Sequence, residues 1–474
     1  MGELWRREGG YREVLKVAGP LILSMGSWSI LEFIDRMFLT WYDWDTLAAA
    51  LPAGVLNFAF ASFFIGTASY VNTFVAQYAG AGREQRVGAA VWQGIYFSLG
   101  SGILLLGLIP LAPLIFDLVG HDPAIRPLEV IYFQIFCLMG FPGILKAAVS
   151  SFFTGRGDNW TVLWVNVVAV GLNVVLDYAW IFGHWGFPEW GIKGAAWATV
   201  VSHFLGASLF LLLMFRRRFR ETYHTLKGWR YDGPLFRRLM RFGAPNGVQF
   251  VLEISGFTLF ILLVGRLGTV PLAATNLTFN INTLAFLPML GTGIGVSTLV
   301  GQYLGKDRPD LAERSSWSAL HLSVLYMLIM SVGFVGFPNL FLNPFAANAD
   351  PVTFEPIREI TILLLRFVAV YSVFDATYIV FSAAVKGAGD TRFVMWVSSV
   401  ASFALMVMPT YLAVVVYRTN IYVSWIFVTV YIVTMAIVFL FRFRGGKWRS
   451  MRVIEVEGVV GLEREAVSDY PVRG

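Results

Sequence analysis

The feature that most constrains this chain is a succession of twelve apolar stretches, each about 20 to 30 residues long and so able to cross a hydrocarbon layer about 30 Å thick. They lie near residues 14–41, 47–78, 88–119, 127–153, 160–183 and 192–215, then 242–266, 270–303, 314–337, 357–386, 392–417 and 420–441. In lipid every backbone polar group must be satisfied within the segment, so such stretches become helices. Charged residues are only 14% of 474 positions, where a soluble domain carries about 25%. The expected fold class is therefore an all-α membrane protein of about twelve transmembrane helices.

The basic residues orient it. With the N-terminus placed inside, the inner segments hold 28 of the 36 lysines and arginines, the bias expected of cytoplasmic loops. Both termini are expected to be cytoplasmic, in a multi-pass inner-membrane protein. The net charge of +6 is then a topology signal, with some attraction for anionic headgroups, and no nucleic-acid partner is implied. The N-terminus does not read as a cleaved signal peptide. The single cysteine, Cys137, excludes an internal disulfide and reads as a packing residue.

The chain repeats itself. Pro20, Gln77, Gly80 and Arg83 recur 225 positions later as Pro245, Gln302, Gly305 and Arg308, and Gly155-Arg-Gly157-Asp158 recurs 232 later as Gly387-Ala-Gly389-Asp390. Six spans per half is even, so both halves insert the same way up, related by a pseudo-twofold axis along the membrane normal with a central cleft between them. We divide the chain into an N-lobe (1–215), a basic cytoplasmic connector (216–241), a C-lobe (242–442) and a cytoplasmic tail (443–474). Pro20 and Pro245 read as hinges, because proline deletes a helix hydrogen bond. Gln77 and Gln302, each just before a glycine at an inner helix end, read as gate residues. Pro288 and Gly291 are expected to tilt or break the eighth span.

An ionisable group at membrane depth costs at least about 2.5 kcal/mol on insertion scales and marks a functional candidate. Five carboxylates qualify: Glu32, Asp35, Asp177, Glu253 and Asp375. Asp35 is a candidate ion site unless its neighbour Arg36 neutralises it; Arg36 is equally placed, four residues on, to pair with Glu32. Asn173 and Asp177 are four apart and share a helix face. An amide oxygen beside a carboxylate suits a small hard cation such as Na+, or a proton held on the acid; the bland alternative is an interhelical hydrogen-bond clamp. Glu253 and Asp375 are placed to hold a cation from the C-lobe side, or to pair with Arg366, Lys146 or polar neighbours as glue.

Soluble-enzyme chemistry finds no support. The five histidines form no metal-spaced pair, and no phosphate-cradling Gly-rich loop with Lys-Ser/Thr is present. The driving energy must come from an ion gradient, a partner or the substrate's own gradient. The paired Gly-x-Gly-Asp motifs match a signature of presenilin-like intramembrane proteases. Their duplication at inner helix ends instead suggests glycine C-caps, with Asp capping the next helix. Aromatics make up 16% of the chain; most are lipid-facing or packing residues, and a few in the cleft would suit flat organic cations.

Together, span 1 with Pro20 and Asp35, the Gln77–Gly80 and Gln302–Gly305 turns, the Gly-x-Gly-Asp pair, Asn173 with Asp177, and Asp375 resemble the MATE family of multidrug and toxic compound extrusion transporters. The likeness runs to about residue 442. It implies twelve helices in two lobes and exchange of organic cations for protons or sodium, with no cofactor and no required protein partner. By that resemblance Asp35, Asn173, Asp177 and Thr199 form an N-lobe cation site, and Glu253 with Asp375 a C-lobe acidic site. Acids in both lobes leave the coupling ion, H+ or Na+, open. A flippase for lipid-linked saccharides shares the architecture and would want a basic cleft.

Overall fold

The computed structural model describes residues 5–119, 125–346 and 351–455, apart from the side chain of residue 44 and that of residue 119. It is helical, with no strand among the described residues. Among the described residues twelve helices are long and apolar enough to cross a membrane: α1 Tyr11–Tyr42, α2 Asp45–Gly80, α3 Glu84–Leu106, α4 Arg126–Thr154, α5 Asn159–Phe182, α6 Ile192–Met214, α7 Gly233–Gly265, α8 Thr269–Gly305, α9 Pro309–Gly336, α10 Pro351–Ala388, α11 Thr391–Val416 and α12 Ile421–Arg444. Helices α1–α6 pack chiefly on one another, as do α7–α12, giving an N-lobe and a C-lobe that meet where α8 lies against α1 and α2 and where α7 lies against α2. Large apolar side chains on their outer surfaces are bare, Ile103 at 70% and Phe441 at 66% exposure among them, as a lipid solvent requires.

Four local expectations are corrected. The third span does not run to residue 119: α3 ends at Leu106 and a separate short helix covers Ala112–Val119. Pro110 and Pro113 lie at that break, where each removes a donor and fixes its backbone. The eighth span is not broken, since α8 runs through Pro288 as one helix. Helices α1 and α7 likewise pass through Pro20 and Pro245. Nor does either motif aspartate cap a backbone amide. The Asp158 carboxylate takes the Thr161 hydroxyl at 2.9 Å, and Asp390 is bound by Arg442 at 2.6 Å. The motif glycines do take left-handed backbone, Gly157 at φ +79° and Gly389 at +114°, where a side chain is strained. Helix α7 starts at Gly233, inside the stretch read as connector, because Asp232 caps the Leu235 amide at 3.0 Å and Pro234 occupies the first turn.

Without a hydrophobic force between helices in lipid, the lobes meet through small residues and hydrogen bonds. Both ends of the described chain, near Gly9 and at Glu455, lie on one face, the terminal face, and there the lobes are sealed. Gln77 of α2 donates to the Gly387 carbonyl at 3.0 Å, and its repeat mate Gln302 of α8 donates to the Gly155 carbonyl at 2.8 Å. Asn72 and Thr298 bond across the same seam at 3.1 Å, and Tyr70 reaches the Lys386 carbonyl at 2.7 Å. Gly80 packs so tightly that a Cβ there would collide with the Gln302 carbonyl, and one on Gly305 would collide with that of Gln77.

Part of the C-terminal tail belongs to this seal. After α12, Trp448 stacks on Phe443 at 4.8 Å with its ring nearly parallel and is buried in the C-lobe core. Val453 and Ile454 are buried in the N-lobe core. Glu455 accepts the Tyr78 hydroxyl at 2.7 Å and pairs with Arg86 at 3.3 Å and Arg238 at 3.2 Å. Burial pushes its carboxyl up, but the Tyr78 hydrogen bond, a backbone amide and these guanidinium groups more than offset it and hold it below the usual range. A folded-state carboxyl held low contributes its stabilisation above the ordinary carboxylate range and loses it only as pH falls through its own lowered value. Thermal melts at pH 5 to 8 are therefore expected to show no change in the difference between wild type and Glu455→Gln; a difference that fades on going from pH 8 to 5 would contradict this. Residues 456–474, the remainder of the expected tail, lie outside the described residues.

Candidate functional site

The N-lobe acids converge. Asn173 and Asp177, one turn apart on α5, are wholly buried, and Asp177 leaves both carboxylate oxygens without a hydrogen-bond donor. Asp35 of α1 brings its carboxyl within hydrogen-bonding reach of Asp177. The Asp35 Oδ1 and Asn173 Oδ1 atoms are also buried without partners. Packing fixes this approach: α1 lies along α5 through Asn159 Nδ2 on the Val17 carbonyl at 2.6 Å and Asn166 Nδ2 on Ser24 at 2.7 Å. Thr199 of α6 faces Asn173, their polar atoms 3.5 Å apart, and returns its own hydroxyl to Ala195. His203, one turn further on, contacts the Thr199 carbonyl at 2.9 Å.

Buried acceptors without donors are costly. Two facing carboxyls plus an amide oxygen and a hydroxyl form a set of acceptors that a proton shared between the acids, or one small monovalent cation, would satisfy. Arg36 does not neutralise the pair by direct contact: it reaches Glu32 at 3.5 Å, and both side chains of that pair are about half exposed, at 52% and 51%. Glu32 thus sits apart from the buried cluster.

The second acidic site lies in the C-lobe. Glu253 of α7 accepts Gln249 Nε2 at 2.8 Å and, through the same oxygen, the hydroxyl of Tyr378 on α10. Asp375, 8% exposed, is close enough to Glu253 for their charges to interact. Tyr371 and Tyr431 flank the pair. Neither Arg366 nor Lys146 forms an ion pair among the described residues, so the glue role through those cations is not what holds Glu253 and Asp375. Gln249, Tyr371, Tyr378 and Tyr431 were missed by the sequence reading. The signal was there for most of them: Tyr371, Asp375 and Tyr378 fall at i, i+4 and i+7 on one face of α10, and Gln249 precedes Glu253 by one turn. Tyr378→Phe removes a donor from a half-buried carboxyl and is expected to cost about 1–3 kcal/mol, read as a lowered melting temperature in detergent; an unchanged melt would mean that the bond contributes nothing.

The four expected gate and hinge residues do not join either acidic site. Gln77 and Gln302 sit in the terminal-face seal, while Pro20 and Pro245 lie within the unbroken α1 and α7. The structure therefore separates two acidic clusters, one per lobe, from a crossed hydrogen-bond seal.

Comparison with known proteins matches this division. The MatE family model matches twice, over residues 20–179 and 245–412, once per lobe. A probable multidrug resistance protein NorM of Thermotoga maritima is 25% identical over 462 residues, covering 95% of this chain and 96% of that one. A protein of the same name from Brucella suis is 30% identical over 387 residues, covering 80% and 81%. Among solved structures, a MATE protein in complex with MaL6 superposes with a TM-score of 0.85 at 18% identity, covering 95% of this chain and 99% of that one. A MOP superfamily transporter from Pyrococcus furiosus, described as having a binding pocket of reverse polarity, gives 0.83 at 19% identity, covering 95% and 98%. With both lobes matched by the family model and a relative 30% identical over most of its length, this multi-pass membrane protein belongs to the MatE family of transporters.

Proposed function

We propose that the protein is a secondary active multidrug efflux transporter that exchanges cationic amphiphilic compounds for H+ or Na+ by alternating access. The observation that carries this reading is the orphaned acid pair: Asp35 and Asp177 face each other in the membrane with buried oxygens that no donor satisfies. Such a pair has two ways to be satisfied, by an ion or by an organic cation. If each favours a different orientation of the cleft, exchange follows from differential binding to two states. Glu253 and Asp375 supply negative charge from the opposite lobe, and their tyrosine surround offers π-faces to a flat cation. The basic terminal face is cytoplasmic on the positive-inside rule, in the inner membrane. The seal then closes the cytoplasmic end of the cleft.

The partners are small organic cations and the bilayer, with no nucleic acid, protein partner or cofactor required. Lipid-linked saccharide flipping is the weaker alternative, since a pyrophosphate would be repelled by acids in both lobes. Proteolysis by the Gly-x-Gly-Asp aspartates is weaker still: Asp390 is committed to Arg442 at 2.6 Å, and peptide cleavage lost in Asp158→Ala would be needed to revive it.

The test is export of a fluorescent cationic dye from proteoliposomes under an imposed proton or sodium gradient, with Asp35→Asn alongside. Movement driven by one gradient alone and lost in the variant supports the reading and names the ion. No movement under either gradient overturns it and moves the flippase to first place.

A further inference from the structure

We infer that residues Trp448–Glu455 form a strap across the cytoplasmic seam, and that its release from the N-lobe is an obligatory step each time the cleft opens inward. The inference rests on the alternating-access reading above.

The strap is anchored on both lobes at once. On the C-lobe side Trp448 is buried against Phe443, Arg449 pairs with Glu313 at 2.6 Å and Arg452 with Asp307 at 3.0 Å. On the N-lobe side the Val453 amide donates to Gln77 Oε1 at 2.8 Å. Val453 and Ile454 are 0% and 5% exposed, and Glu455 joins Tyr78, Arg83 and Arg86 of the N-lobe, while Arg238 of α7 also pairs with Glu455 at 3.2 Å and Val453 also lies against Gly389. The crossing from Arg452 to Val453 is a single residue step. An extended chain spans at most about 3.6 Å per residue, so the strap has almost no slack. Inward opening by more than a few ångströms must therefore pull Val453–Glu455 off the N-lobe or tear Arg449–Arg452 from the C-lobe.

The N-lobe attachment is the one built to release. Its polar contacts are hydrogen bonds and ion pairs at the water-facing end, and the same Gln77 that holds Val453 also bonds to the Gly387 carbonyl at 3.0 Å. When the seam parts, Gln77 loses both partners together, so seal and strap open as one cooperative unit. The C-lobe anchor is a fully buried tryptophan in parallel stack, which a moving lobe carries with it. A strap of this kind biases the transporter toward the inward-closed state and sets how often the cytoplasmic side opens.

The experiment measures the opening directly. Spin labels on cysteines introduced at Gln85 and Lys306, exposed positions on opposite sides of the seam, report the inner separation by pulsed electron paramagnetic resonance in the full-length protein in proteoliposomes. Glu455→Gln removes the anion from the arginine cluster, and Glu455→Lys makes the contact repulsive. The expected result is a rise in the long-distance, inward-open population of about tenfold for Gln, the factor a charged hydrogen bond supplies, and more for Lys. Arg452→Ala, which breaks the Asp307 pair at the crossing along with two bonds to the tail's own carbonyls of Arg449 and Met451, is expected to shift the population the same way by less, and serves if the Lys variant does not fold. An unchanged distance distribution in Glu455→Gln and Arg452→Ala overturns the inference. Because the readout needs no transported dye, that outcome is distinct from failure of the efflux reading, in which wild type itself moves no dye.

Discussion

Asp177→Asn is expected to abolish gradient-driven export while leaving the protein at least as stable as wild type. Asparagine has nearly the same size and shape, so the packing of α5 against α1 survives. The ionisable group does not, and without it the cluster neither takes up a proton at that position nor offers a charge to an entering cation. The loss expected in driven dye transport is roughly 100-fold or more, equivalent to about 2.7 kcal/mol in the coupled step. Stability moves the other way. In wild type two carboxyls face each other with buried oxygens unsatisfied; the new amide presents a donor to Asp35 and removes the repulsion between like charges. A melting temperature that stays level or rises, together with lost transport, is the signature of a group kept for work at a cost in stability. A variant that melts early instead would make Asp177 a structural clamp, and dye transport at wild-type rate would remove the acid pair from the coupling step.

The second large effect is expected at the seam, where Gly80→Ala or Gly305→Ala should prevent the terminal face from closing. The obstacle at each position is the backbone carbonyl of a glutamine on the facing helix, Gln302 for Gly80 and Gln77 for Gly305. A backbone cannot rotate aside as a side-chain tip does, so the helices must part. Overpacking of this sort costs about 1–3 kcal/mol, and here the cost falls almost wholly on the closed state. At about 2 kcal/mol the closed population drops roughly thirtyfold relative to the open one, and transport falls with it. The Gln85–Lys306 spin-label pair would read the shift as a longer inner distance. Because both glycines serve one contact, the double variant is expected to cost less than the sum of the singles. Normal transport in Gly80→Ala would mean that this closed arrangement is not visited during the cycle.

What was legible in the sequence follows from what lipid penalises. The twelve helices were readable because hydrocarbon tolerates few charges, and the two lobes because Gln77 and Gln302 repeat at a fixed offset. The buried acids stood out for the same reason: Asp177 in a run as apolar as α5 has no bland surroundings to hide in. Partnership was harder to read. One pairing was legible: the four-residue spacing of Glu32 and Arg36 offers the ion pair that forms. Tyr378 escaped notice because one tyrosine among many aromatics is unremarked until α10 turns it toward Glu253. The prolines misled in the opposite direction: α8 stays whole through Pro288, because residues around a membrane proline can take up the freed carbonyl. Least legible was the strap. A mixture of charge and short apolar runs says nothing about docking until the acceptor, Gln77 Oε1, and the arginines around Glu455 are seen in place.

The crossed glutamines carry one further consequence. Gln77 of the first repeat binds the glycine carbonyl of the second, and Gln302 of the second binds that of the first. Such a contact is isologous: each half offers donor and acceptor on one self-complementary patch. A six-helix chain holding a single copy of that glutamine and that glycine would already carry everything needed to seal against a second copy of itself. Joining the halves in one chain is therefore not needed to form the seal, and the joined halves can differ elsewhere: one lobe holds Asp35 with Asp177 and the other Glu253 with Asp375.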